Sequence, residues 1–161
     1  MTKSNFVKIK QSFCVLPARH MSHNEISQHV PLKNDDTHET RSSTITKHTG
    51  IKQRRYALPY ECSSDLAYKA LTPALADFSE EELKNITTLI VTTTSPDVPS
   101  PATATFVHKK SRLPKHVHCF DVASSCSSFL SGLRASLGSL EENKFIFVIA
   151  SEVKHKNLDP T

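Results

Sequence analysis

A single cysteine, Cys126, stands where the chain passes from a short apolar strand through a turn into a helix, in CFDVASSCSSFLSGLRASLGSL (119–140). Placed at the first turn of that helix, its thiol faces backbone N–H groups with no partner inside the helix, and the positive end of the dipole. Both favour the thiolate, the nucleophilic form of cysteine. The alternative reading is a packed small residue of no chemical consequence, since free cysteines are among the most buried residue types.

Other residue groups carry less chemistry. His116-Val117-His118 places two imidazoles on one face of a strand and Cys119 on the other. A metal needs three or four converging ligands, and no Asp, Glu or Cys cluster supplies them, so we expect no metal. Cys119 reads as a core thiol, and Asp121 as a structural hydrogen-bonding group that fixes the turn toward Cys126. The run Glu80–Glu82 follows Ser79 as a capping box, where negative charge is favoured without any acid–base role.

Composition excludes several classes. The chain has 161 residues, 37% hydrophobic and 22% charged, enough for one domain with a real core. Three glycines and no P-loop or G-x-G-x-x-G exclude a glycine-rich nucleotide cradle. A net charge of +4, with small basic clusters at Lys52–Arg55 and His108–Lys115, lacks the dense aromatic-interleaved patch of a nucleic-acid surface. No apolar run is long enough to span a membrane or to act as a signal peptide. Cys14, Cys62, Cys119 and Cys126 stand far apart without a C-x-x-C pair, so free thiols in a reducing cytoplasm are expected.

The elements that must position Cys126 follow from periodicity and caps. Phe6–Leu16 alternates and predicts a first strand ending at Pro17. Ser22 to Glu25 forms a capping box before a helix reaching about His29. Residues 31–48 are polar and aperiodic, which predicts a long surface loop. Ser63 or Ser64 caps a helix to about Ala76, with Leu66, Ala70, Leu71 and Leu75 along one side. Thr87–Thr94 is β-branched and reads as a strand covered on both faces. SPDVPSP is a loop, Ala102–Arg112 a helix, and Val117–Val122 a strand. In the helix after Cys126, Phe129 or Leu130, then Leu133, Leu137 and Leu140, are expected on the inner stripe. Phe145–Ala150 is the last strand. Alternating helices and strands from residue 63 predict an α/β fold with a mostly parallel sheet and helices on both faces. Cys126 then lies at the carboxyl end of a strand, where such sheets build their sites.

Several separated blocks share one order and spacing: ITKHTGIKQRR (45–55), TLIVTTTSP (88–96), VPSPATA (98–104), FDVASSCSSF (120–129) and VIASEV to LDPT (148–161). Together they resemble β-ketoacyl-acyl-carrier-protein synthase III, of the thiolase-like superfamily. The resemblance implies that Cys126 accepts an acyl group from acyl-CoA as a thioester, its own N–H contributing to an oxyanion hole. A malonyl thioester on acyl carrier protein then condenses with that acyl group in fatty acid biosynthesis. No permanently bound cofactor is implied; acyl-CoA is a substrate. Thr49 is the retained residue of the CoA-associated segment, whereas Thr44 and His48 stand where the family often has Trp and Arg. Ser124 and Ser125 replace usual alanines, and Ser128 stands near a common glycine. Glu152 resembles an acidic residue of the family and reads as structural.

The resemblance covers the first of the family's two similar halves, so one thiolase-like domain over residues 1–161, truncated against the family, is expected. The His and Asn that activate the malonyl thioester come from the second half, and no residue here matches them. The chain is thus either an acyltransferase needing a C-terminal half, or a non-catalytic half-domain or remnant pairing with a thiolase-like partner. Either way an apolar face is left for a second half, a thiolase-like subunit or a second copy.

Overall fold

The structure, a computed structural model, describes residues 7–29 and 37–154. In chain order the elements are β1 (Arg19–Ser22), α1 (His23–Gln28), α2 (His38–Thr49), β2 (Gln53–Tyr56), α3 (Ser63–Ala76), α4 (Glu80–Lys84) and β3 (Ile86–Thr92). They continue with α5 (Thr103–Lys110), β4 (His118–Val122), a 3-10 turn (Ser125–Ser127), α6 (Ser128–Leu137) and β5 (Phe145–Ala150). The chain divides into two compact units. Among the described residues, one comprises Cys62–Glu152 with residues 7–15, the other residues 16–29 and 37–61 with residues 153–154.

The larger unit is the α/β sheet that the alternation predicts. Its three strands run parallel in the order β4-β3-β5. β3 is central because its side chains tolerate burial on both faces: Ile86, Leu89, Ile90 and Val91 are fully buried. Alternation along β3 divides its neighbours. Leu89 and Val91 join the main core with Ala67, Leu71 and Leu75 of α3 and Ala104 and Val107 of α5. Ile90 and Thr92 turn the other way, toward Gly132 of α6. Register aligns Thr92 with Val122 and with Ala150, so the carboxyl ends of all three strands finish level.

α6 departs from expectation. Its buried residues are Ser128, Gly132 and Ser136, while Phe129, Leu130 and Leu137 are 45%, 67% and 46% exposed. The reason is close approach: a Cβ on Gly132 would lie 2.4 Å from Thr92 Cγ2 and 3.1 Å from Val148 Cγ1. Only a stripe of small residues lets the helix lie that near the sheet, so Phe129, Leu130 and Leu137 point away, while Leu133 and Leu140 are half-buried.

Residues 7–17 form no strand, contrary to the alternation of Val7, Ile9 and Phe13, all three of which are exposed. No partner strand flanks them among the described residues. Side chains hold the segment instead. The Lys10 ammonium pairs with Glu82 and lies 4.3 Å and 4.7 Å from the ring centroids of Phe78 and Phe145. Gln11 Nε2 donates to Asp77 Oδ2 at 2.9 Å.

In the smaller unit β1 and β2 pair antiparallel, and α1 packs on α2. The Ser22–Glu25 capping box opens α1 as expected. Residues 31–48, expected to be a loop, contain most of α2; 31–36 lie outside the described residues. α2 buries no side chain, so no apolar period announces it. Local chemistry delimits it. Thr37 Oγ1 accepts the Thr40 N–H at 3.1 Å, and Gly50 ends it in the left-handed region, φ 70°.

Candidate functional site

Cys126 is exposed, just beyond the carboxyl end of β4. It sits in the 3-10 turn rather than in the first turn of the α-helix, which begins at Ser128. Ser125 before it has φ 50°, a left-handed conformation that costs a residue with a side chain about 1–2 kcal/mol. Hydroxyls reinforce the backbone bonds of this turn, among them Ser127 N–H to the Ser124 carbonyl at 3.1 Å. Ser128 Oγ accepts the Ser124 N–H at 2.7 Å and donates to the Ser125 carbonyl at 2.7 Å. Ser127 Oγ donates to the Ser124 carbonyl, also at 2.7 Å.

The loops beside the turn are tied by two carboxylates. Asp121 Oδ2 and Oδ1 accept the N–H groups of Thr103 and Ala104 at 2.6 and 2.8 Å, closing the amino end of α5. This is the structural hydrogen bond expected of Asp121, although it reaches α5 rather than the Cys126 turn. Glu152 Oε1 accepts the Thr94 N–H at 2.8 Å, and its Oε2 accepts the Ser95 hydroxyl at 2.7 Å. Glu152 thereby clamps the loop after β3 to the end of β5. Buried serines extend the clamp: Ser63 Oγ donates to the Ser95 carbonyl at 2.6 Å, and Ser151 Oγ to the Ser63 carbonyl at 2.7 Å. The amino end of α3 takes an acceptor from the same region, Ser64 N–H to Asp97 Oδ1 at 3.0 Å.

The other singled-out residues have quieter roles. Burial, with the Asp121 charge second, pushes the half-buried Cys119 thiol up, which keeps it protonated; its Sγ contacts the Val117 carbonyl at 3.5 Å. His116 Nε2 lies 3.1 Å from the Ile86 carbonyl, and His118 stacks on Phe120 with centroids 5.2 Å apart. Among the described residues no group of three or more His, Cys, Asp or Glu converges as a metal-ligand set. Ser79 and Glu82 form the expected capping box. Thr49 belongs to the smaller unit and Cys126 to the larger. The Thr49 hydroxyl donates to the Ile45 carbonyl at 2.7 Å and accepts the Ile51 N–H at 3.2 Å, finishing α2.

Ser128 and Ser151 are site-shaping residues that periodicity overlooks, and Ser63, expected with Ser64 as a possible cap of α3, instead begins the helix after Cys62, which is the N-cap. The signal available was local: serines clustered at a strand-to-helix turn favour hydrogen bonds to nearby backbone.

No protein-family model matches the chain. A β-ketoacyl-acyl-carrier-protein synthase III of Neisseria gonorrhoeae is 32% identical over 156 residues, covering 96% of this chain and 46% of that protein. The chain thus spans about half the length of the curated relatives it matches. The crystal structure of 3-oxoacyl-acyl-carrier-protein synthase III from Aquifex aeolicus superposes with a TM-score of 0.71 at 26% identity, covering 88% of this chain and 43% of that one. An HMG synthase of the curacin biosynthetic pathway shares the fold, with a TM-score of 0.76 at 17% identity over 91% of this chain and 35% of that one. With sequence and fold matching over the same stretch, the chain belongs to the β-ketoacyl-acyl-carrier-protein synthase III family, of whose thiolase-like fold it carries the N-terminal half.

Proposed function

We propose that this chain is the nucleophile-bearing half of a 3-oxoacyl-acyl-carrier-protein synthase III acting in fatty acid biosynthesis. The observation that carries the reading is an exposed thiol, Cys126, on a hydrogen-bonded turn at the carboxyl edge of the sheet. The Cys126 thiolate attacks the carbonyl of an acyl-CoA, the bond from that carbonyl to CoA sulfur breaks, and CoA leaves as a thiolate that takes up a proton. Decarboxylation of a malonyl group on acyl carrier protein then supplies the carbon nucleophile. It forms a C–C bond to the acyl carbonyl and releases Cys126. Thr49 is assigned to the acyl-CoA contact. The reaction uses no resident cofactor, and the four free thiols suit a reducing cytoplasm. No helix among the described residues is long and apolar enough to cross a membrane.

The second step needs the His and Asn of a C-terminal half, on this chain's continuation or a separate subunit. The outward face of α6, with Phe129, Leu130 and Leu137, is the surface such a half would cover. The same face supports a second reading, in which the chain is a non-catalytic half-domain paired with a thiolase-like protein. Quantifying CoA released from acetyl-CoA separates the two. A burst of one CoA per chain, with turnover only when a C-terminal half and malonyl-acyl-carrier protein are added, supports the enzyme. No burst under either condition leaves the pairing module.

A further inference from the structure

We propose that Ser128 is the positioning residue of Cys126, a role that rests on Cys126 being the nucleophile. The buried Ser128 hydroxyl spans the turn in two directions, taking the Ser124 N–H and giving its proton to the Ser125 carbonyl, both at 2.7 Å. These groups flank the left-handed Ser125, whose backbone sets the direction in which the chain presents Cys126. A non-glycine residue leaves the left-handed region unless its surroundings hold it there. Ser128 supplies that hold, and it is itself fixed because α6 packs its Ser128, Gly132 and Ser136 stripe onto the sheet. Packing of α6 on β3 is thus transmitted to the turn that carries the thiol by the Ser128 hydroxyl, beside the Ser128 N–H that also bonds the Ser125 carbonyl; the hydroxyl alone reaches the Ser124 N–H. Ser127 bonds the Ser124 carbonyl from the exposed side and leaves the Ser124 N–H and the Ser125 carbonyl untouched.

Two measurements on Ser128→Ala, Ser128→Thr and Ser127→Ala test this. The first is hydrogen exchange of the Ser124 amide by NMR, which reads the turn without any chemistry at sulfur. The second is the single-turnover rate of Cys126 acylation as a function of acetyl-CoA concentration. Ser128→Ala should speed Ser124 exchange by about tenfold, the equivalent of one lost hydrogen bond. It should also slow acylation at saturation by about tenfold with the half-saturating concentration unchanged, because a misdirected nucleophile alters reaction and not binding. Ser128→Thr, which keeps the hydroxyl, should restore both, and Ser127→Ala should move neither. If Ser128→Ala fails to fold, Ser128→Thr against the isosteric Ser128→Val makes the same comparison. Unchanged Ser124 exchange in Ser128→Ala overturns the proposal, as does faster exchange with acylation at the unaltered rate. Absence of acylation in the unaltered chain, both alone and with a C-terminal half supplied, sinks the acyl-transfer reading instead, and Ser124 exchange still judges the lock.

Discussion

Removing the Asp121 carboxylate should be among the costlier single changes in the larger unit. Its two oxygens take the Thr103 and Ala104 N–H groups at 2.6 and 2.8 Å, and both donors belong to fully buried residues at the start of α5. First-turn N–H groups have no partner within their own helix, so Asp121→Ala leaves both without an acceptor. Each buried unsatisfied donor costs about 1–3 kcal/mol, and the lost charge at the helix amino end adds about 0.3–1 kcal/mol. Partial relaxation lowers the sum, and we expect about 2–5 kcal/mol. Asp121→Asn keeps one acceptor oxygen but turns an amide donor toward the second N–H, so it should cost about half as much. The chain has no tryptophan, so urea unfolding is best followed by circular dichroism. With about 2 kcal/mol per M for the urea dependence, the midpoint should fall by about 1–2.5 M in Asp121→Ala and by roughly half that in Asp121→Asn. If both variants unfold at the midpoint of the unaltered chain, Asp121 does not hold α5 in the way described.

Further expectations concern α6 and the N-terminal segment. Gly132→Ala places a methyl group 2.4 Å from Thr92 Cγ2, on a buried β-branched side chain with no room to yield. It should cost about 1–3 kcal/mol and speed exchange of the α6 amides; stability within 0.5 kcal/mol of the unaltered chain would refute the close packing. The Lys10 hydrogen bond, then the Ser79 N–H, hold the Glu82 carboxyl down to about 2 from an ordinary 4.5. A folded-state value below the unfolded one stabilises above pH 4.5, and that contribution disappears as pH falls from 4.5 toward 2. Thermal melts should therefore decline less steeply across that window in Glu82→Gln than in the unaltered chain; parallel declines would show that the tether is without effect.

How far the fold could be read from residues depends on what kind of force sets each element. The sheet was legible because β3, β4 and β5 owe their form to burial of β-branched and aromatic side chains, which is written into composition. α2 was not, because none of its side chains is fully buried and its ends rest on local caps at Thr37, Thr49 and Gly50. α6 misled through the assumption that leucines face inward. The distance between helix and sheet decides that, and Gly132 against Thr92 makes it short. Residues 7–17 alternate like a strand, yet a strand needs a ladder partner, which no local pattern reveals. At the site, the place of Cys126 at a strand-to-helix turn was legible. The Ser128 bridge was not, since it depends on the left-handed Ser125 that brings the Ser124 N–H and the Ser125 carbonyl to one hydroxyl.

The central claim is that Cys126 accepts an acyl group, and intact mass spectrometry with peptide mapping tests it most directly. The purified chain and its Cys126→Ser variant would be incubated with acetyl-CoA and with longer acyl-CoAs, alone and with a C-terminal half supplied. The account predicts one acyl adduct per chain, mapped to the peptide holding Cys126 and absent in the variant, while Cys14, Cys62 and Cys119 stay unmodified. A folded chain that gains no adduct under any of these conditions, or gains it equally in Cys126→Ser, would contradict it.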